Sequence, residues 1–178
     1  MRRIRNFAAV FLALFPLALF GQHHGEEVSD DFHPVKLSVV LGHTYLPTAT
    51  AEGKELLILP SFGLDLEYWF GPKFGIGLHN DLELLAFEVE KEEDLFIERE
   101  YPVLLTFDAL WNPFKGLVFF GGPGIELEPE ENFFVVRFGL EYGFEFGDDW
   151  DVFPTFFYDI RQDAYDTFSL GLGLGKRF

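Results

Sequence analysis

Residues 133–146, FFVVRFGLEYGFEF, decide how the rest of the chain is read. Taken as an extended chain, Phe134, Val136, Phe138, Leu140, Tyr142, Phe144 and Phe146 share one face. Val135, Arg137, Gly139, Glu141, Gly143 and Glu145 share the other. A period of two marks a β-strand, here with one apolar, aromatic face and one face of glycine and charge. The strand alone leaves open which face points inward.

The same alternation recurs on both sides of it. Working outward, strands are expected at 150–160 and 168–178 downstream and at 35–46, 56–70, 74–89, 101–111 and 117–127 upstream. Tight turns are expected at Gly71-Pro72-Lys73, 112–116 and Gly147-Asp148-Asp149, where glycine, proline and aspartate cluster. Within 74–89 the apolar parity slips from even to odd positions, and a β-bulge near Asn80-Asp81-Leu82 is the expected cause. The charged segment 88–100, EVEKEEDLFIERE, is expected to be the tip of a long hairpin. The expected fold is all-β, an eight-stranded antiparallel up-and-down barrel.

Composition sets the class and the compartment. The chain has 178 residues, 24 Phe, no Cys and a formal net charge of −17. The absence of cysteine excludes a disulfide framework and thiolate chemistry. The acidic balance argues against a nucleic-acid partner, which requires basic surface. Arg2, Arg3 and Arg5 followed by the apolar run 7–20 read as a secretory signal peptide over 1–21, with Gly21 before Gln22 as the cleavage point. Residues 22–33 are polar and expected to be flexible, and 34–178 form the barrel domain. No stretch after Pro34 is a continuous apolar run of the ~20 residues a transmembrane helix needs.

Three features orient the strands. The polar face is rich in glycine (Gly75, Gly77, Gly139, Gly143, Gly171, Gly173, Gly175), which suits a narrow lumen and would only weaken a solvated strand. Aromatic residues gather at strand ends. Tyr68, Trp69, Phe70, Phe74, Trp111, Phe114, Phe144, Phe146, Trp150 and Phe178 fall at one rim, and Tyr45, Tyr101, Phe134, Tyr158 and Phe168 at the other. Two aromatic girdles around an apolar band match the interfaces of a bilayer. The turns at the first rim are short, while the longest connection lies at the second, as in barrels with short periplasmic turns and long outer loops. The apolar face therefore points to lipid, which makes this a transmembrane barrel.

With its faces so assigned, 34–178 resembles the small eight-stranded outer-membrane barrels of the OmpA, OmpX and OmpW kind. The C-terminal strand, TFSLGLGLGKRF, is similar to the assembly signal of that group, alternating apolar residues that end in Phe178. Lys176 departs from the pattern, and its long stem can carry the ammonium to the interface. The resemblance implies residence in the outer membrane of a Gram-negative cell, contact with its lipid and lipopolysaccharide, and delivery by the outer-membrane insertion machinery.

Pairing around the turns names candidate lumen groups. Arg137 falls opposite Asp159, and Asp65 opposite His79. Glu67, Asp108, Glu141, Glu145 and Arg177 share the inward face, so a charged network is expected there. An eight-stranded barrel leaves little bore, which favours a polar plug over a conducting path. Acyl-transfer chemistry would need Ser, His and a carboxylate together. The one candidate set is His79, Asp65 and Ser61, yet Ser61 should pair nearer Glu83, so no enzyme and no catalytic residue is expected. Divalent cations could engage the acidic loop residues Glu88, Glu90, Glu92, Glu93, Asp94, Glu98, Glu100, Glu126, Glu128, Glu130 and Glu131, although their spacing matches no calcium loop. No other metal and no cofactor is expected. The function so read is structural or surface-interacting. The alternatives are a narrow pore or carrier for small apolar molecules, a soluble ligand-binding barrel, and a lipid-modifying enzyme.

Overall fold

The computed structural model describes residues 32–50, 53–92, 95–129 and 131–178. The expected signal peptide and most of the expected flexible segment lie outside the described residues.

Among the described residues, eleven strands occur in chain order. They are β1 (Val35–Thr50), β2 (Gly53–Trp69), β3 (Phe74–Glu83), β4 (Ala86–Glu92), β5 (Leu95–Glu100), β6 (Val103–Phe114), β7 (Leu117–Leu127), β8 (Phe133–Tyr142), β9 (Phe144–Phe146), β10 (Trp150–Arg161) and β11 (Asp166–Arg177). β8 and β9 are one strand interrupted at Gly143, and both pair with β10. The order β11-β1-β2-β3-β6-β7-β8-β10, with β10 also pairing β11, closes the sheet into an eight-stranded antiparallel barrel. The seam is β1 against β11, in register from Lys36↔Arg177 to Tyr45↔Phe168. Every other neighbour in the barrel is adjacent in the chain once the β4–β5 hairpin is passed over, which is the up-and-down topology.

Alternation decides what each face meets. On β10, Asp151, Phe153, Thr155, Phe157, Asp159 and Arg161 are buried, while Pro154, Phe156, Tyr158 and Ile160 are exposed. On β2 the buried set is Leu59, Ser61, Gly63, Glu67 and Trp69, and the exposed set is Leu56, Ile58, Phe62, Leu64, Leu66 and Tyr68. The exposed face of every barrel strand is dominated by large apolar and aromatic residues, with Leu41 at 63% exposure and Phe114 at 71%. A soluble monomer seldom exposes a contiguous apolar patch beyond ~600 Å2. Here that surface wraps the barrel, as in proteins whose walls face acyl chains.

Three sequence expectations change. Trp69 does not belong to the aromatic girdle, because its parity places it inside, at 2% exposure, with the indole N–H donating to Glu67 Oε2 at 2.7 Å. Among the other residues placed at that rim, Tyr68, Phe70, Phe74, Trp111, Phe114, Phe144, Phe146, Trp150 and Phe178 are exposed. β1 and β2 run on to Thr50 and from Gly53, so most of the loop expected at 47–54 is strand. No bulge occurs at Asn80-Asp81-Leu82. β3 keeps one register with β2 from Trp69↔Gly75 to Ser61↔Glu83.

The change of parity comes instead at Leu84-Leu85, where β3 ends and a separate two-stranded sheet, β4–β5, begins. This hairpin turns one face down onto the barrel. Phe87 and Val89 are buried at 7% and 0% and pack with Leu46, Leu59, Phe133 and Tyr165, with Leu57, Ile97 and Ala164 around them. These residues come from the inner faces of β1, β2 and β8 and from the β10–β11 connection, so the hairpin closes the mouth at the long-connection end. Burying a Phe and a Val this way contributes ~1.5–3 kcal/mol each.

Candidate functional site

The lumen is filled by three tiers of ion pairs that stack from the short-turn end to the lidded mouth. In the lowest, Lys36 Nζ lies 3.0 Å from Glu141 Oε1, 3.4 Å from Asp151 Oδ2 and 3.5 Å from Glu67 Oε1. Its ammonium also sits 4.0 Å over the Phe153 ring. Lys36 is 1% exposed, so three carboxylates and a ring replace its water shell. Arg177 reaches the edge of this tier, 3.9 Å from Asp151 and over Trp69.

The middle tier is built on Arg137. Its guanidinium donates from Nε and Nη2 to Asp159 at 2.7 and 3.0 Å, and from Nη1 to Asp81 at 2.6 Å. The Phe157 ring lies 3.9 Å beneath it. Beside it His79 Nδ1 is 3.0 Å from Asp108 Oδ2, which also accepts from Thr106 Oγ1 at 2.7 Å. Asp65 accepts from the Asn80 backbone N–H at 3.2 Å, and the Asn80 amide donates to the Leu64 carbonyl. A cavity of about 10 Å3 lies among Asp65, His79, Asp81, Arg137 and Glu141. That is room for about one water.

The upper tier joins barrel and lid. Arg161 donates to Glu126 Oε2 and, at 2.9 Å, to Thr167 Oγ1. Arg99, from β5, donates to Glu126 Oε1 at 2.7 Å, Glu128 Oε2 at 3.0 Å and the Glu131 carbonyl at 2.7 Å. Tyr165 donates to Glu126 Oε1 at 2.8 Å, and burial pushes its hydroxyl above the ordinary range, so it stays a donor.

Most of the lumen groups named from sequence meet one another here: Arg137 with Asp159, Glu67 and Glu141 on one lysine, and His79 with Asp108. Glu145 is a correction. It keeps its place opposite Asp151, but at the rim, beyond the filled lumen, where it is exposed and pairs with exposed Lys115 at 3.3 Å. Lys36, Asp81, Glu83, Glu126, Arg161 and Arg99 also belong to the network, although the sequence does not place them among the lumen groups. Lys36 was on the inward parity, whereas the contacts of Asp81 and Arg99 cross to strands that no single turn relates. Ser61 lies opposite Glu83, not His79. Glu126 and Glu128, expected among possible cation ligands, are buried against arginines. Among the described residues no cluster of His, Asp or Glu has metal-site geometry.

No family model matches the chain, and no curated protein does. Solved structures do. Ail, the attachment invasion locus protein of Yersinia pestis, superposes with a TM-score of 0.55 at 15% identity, over 83% of this chain and 100% of that one. Neisserial surface protein A superposes with a TM-score of 0.55 at 8% identity, over 81% and 97%. OprG of Pseudomonas aeruginosa gives 0.50 at 12% identity, over 82% and 96%. The fold is therefore that of the small eight-stranded outer-membrane barrels.

Proposed function

We propose that this chain is a bacterial outer-membrane protein whose plugged barrel serves a structural or surface-interaction role. The observation that carries the reading is the inverted distribution of side chains. Large apolar residues cover the outside, while Lys36, Arg137, Arg161, Arg99 and their carboxylates fill the inside. A soluble barrel has the reverse arrangement. In lipid every backbone polar group needs an internal partner, and closure of β1 on β11 removes the sheet edge.

The narrow-pore alternative meets two obstacles. Three buried ion-pair tiers fill the lumen from end to end and leave a one-water cavity among them, and the mouth is covered by Phe87 and Val89. A carrier for apolar molecules would need an apolar path, and the inward face offers charge. At the lidded end Glu88, Glu98, Glu100, Glu131 and Asp163 are exposed, so a surface partner should be cationic. Ail has been crystallised with the heparin analogue sucrose octasulfate. This acidic rim would repel such a polyanion.

Cell fractionation with gel electrophoresis of unheated and boiled samples tests the placement. The protein should sediment with outer membranes and migrate differently after boiling. Recovery in the soluble periplasm would overturn the reading. In planar bilayers the purified protein should give no sustained single-channel steps, and regular steps would favour the pore.

A further inference from the structure

The β4–β5 hairpin is built to come away from the barrel. Its strands pair with each other and with no barrel strand. It is joined at one end by the non-strand Leu84-Leu85 step, where the Leu84 N–H still donates to the Pro60 carbonyl at 2.9 Å, and at the other by Tyr101, whose φ of 49° places a bulky residue in the left-handed region. On its outer face Glu88 stands directly across from Glu98, a repulsive pair. Among the described residues, the apolar contact of Phe87 and Val89 and the charged Arg99 hold it down.

The cup that receives Arg99 is made by the barrel, not by the hairpin. Glu126 is fixed from beneath by Arg161 and Tyr165. Glu128 is fixed within the β7–β8 connection, its carboxylate accepting from the Glu131 N–H at 3.2 Å while its own N–H donates to Asn132 Oδ1 at 3.0 Å. The Phe133 ring forms a wall 4.7 Å from the guanidinium carbon. Two carboxylates on separate N–H groups, a backbone carbonyl and an aromatic face together match a planar guanidinium fork and would suit an ammonium poorly. The hold of the cup on Arg99 is incomplete, because its Nε–H is buried without an acceptor.

We propose that this cup is a guanidinium-binding site at the barrel mouth, occupied in the closed state by the lid's own Arg99. An external guanidinium, such as an arginine side chain of a basic peptide, competes for it and lifts the hairpin. The exposed Glu88, Glu98 and Glu100 would raise the local concentration of such a ligand. The inference rests on the geometry of the rim and does not depend on which membrane holds the barrel.

The test uses the full chain in lipid nanodiscs, with agmatine as the guanidinium probe and n-butylamine as the ammonium control. Amide hydrogen exchange is followed across 86–100 and, for reference, at Val135 and Asp159. In the wild type, saturating agmatine should speed hairpin exchange about tenfold or more and leave the references unchanged, while butylamine should do neither. Arg99→Ala should exchange rapidly without ligand and bind agmatine at least about tenfold more tightly than the wild type, since the internal competitor is gone. Glu128→Gln should lose agmatine binding. Hairpin amides that exchange only in step with Val135 at every agmatine concentration would overturn the proposal. So would equal agmatine affinity in Arg99→Ala and wild type, or an equal response to butylamine. If Arg99→Ala does not fold, the wild-type exchange series decides the question alone.

Discussion

At the scale of single residues, Arg137 shows what the lumen demands. One guanidinium spans β8 to β10 through Asp159 and crosses to β3 through Asp81. Removing one partner from a buried ion pair costs ~3–5 kcal/mol, because the remaining charges stay uncompensated. Arg137→Ala should therefore lower unfolding stability by about that much, measured by urea titration in lipid or detergent. Arg137→Lys should recover only part of the loss, since one ammonium cannot repeat a fork on Asp159 and still reach Asp81. Equal stability of Arg137→Ala and wild type would mean that the lumen is hydrated, not paired. The Arg137–Asp159 contact was legible in the sequence because the Gly147–Asp149 turn sets the register and hence which residues face each other. Asp81 was not legible. A contact across the bore depends on side-chain reach and barrel diameter, and no hairpin register contains either. Trp69 failed for a different reason. Its position near a strand end suggested the girdle, but its parity, the stronger constraint, sent it inward.

At the scale of elements, the barrel's strands were legible and its lid was not. The strands repeat a period-two pattern that nothing in their surroundings overrides. The odd-position run Leu85, Phe87 and Val89 was visible as a slip in parity, and a local bulge was the shorter explanation. The actual cause is a second small sheet whose inner face needs a surface that exists only after the barrel closes. Val89→Asp should test this independence, because it places a carboxylate among Leu46, Leu59, Phe133 and Tyr165. Limited proteolysis should then cut within 86–100, while the barrel keeps its heat-modifiable migration; loss of that migration would mean that the hairpin is integral to barrel folding. Close strand packing gives a second case. A Cβ built on Gly122 would fall on the Phe107 carbonyl, a backbone atom that cannot rotate away. Gly122→Ala should force β6 and β7 apart and reduce the yield of folded barrel in a refolding assay, an effect that Gly71→Ala, where a Cβ meets nothing within 4 Å, should not show.

At the scale of the whole molecule, the orientation of the two faces carries both the fold and the proposed placement, and the three tryptophans report on it. Trp111 and Trp150 are exposed on the outer surface at the short-turn rim, at 49% and 37%. Trp69 is at the same end but 2% exposed, bonded to Glu67 inside the wall. Because all three lie near one end, depth in the bilayer does not separate them, and only the face does. Three variants that each retain one tryptophan, the other two replaced by Phe, can be reconstituted into bilayers containing brominated lipid. Emission from Trp111 and Trp150 should be strongly quenched, since their rings meet acyl chains or the headgroup boundary. Trp69 should keep most of its emission, because the strand and its charged neighbours stand between its ring and the bromines. If Trp69 were quenched as strongly as the other two, its strand would be turned about. A one-residue shift of register exchanges every side chain between the faces, so the charged lumen would then be facing lipid. Such a result would undo the Lys36 and Arg137 networks together with the outer-membrane reading, since both rest on the same parity.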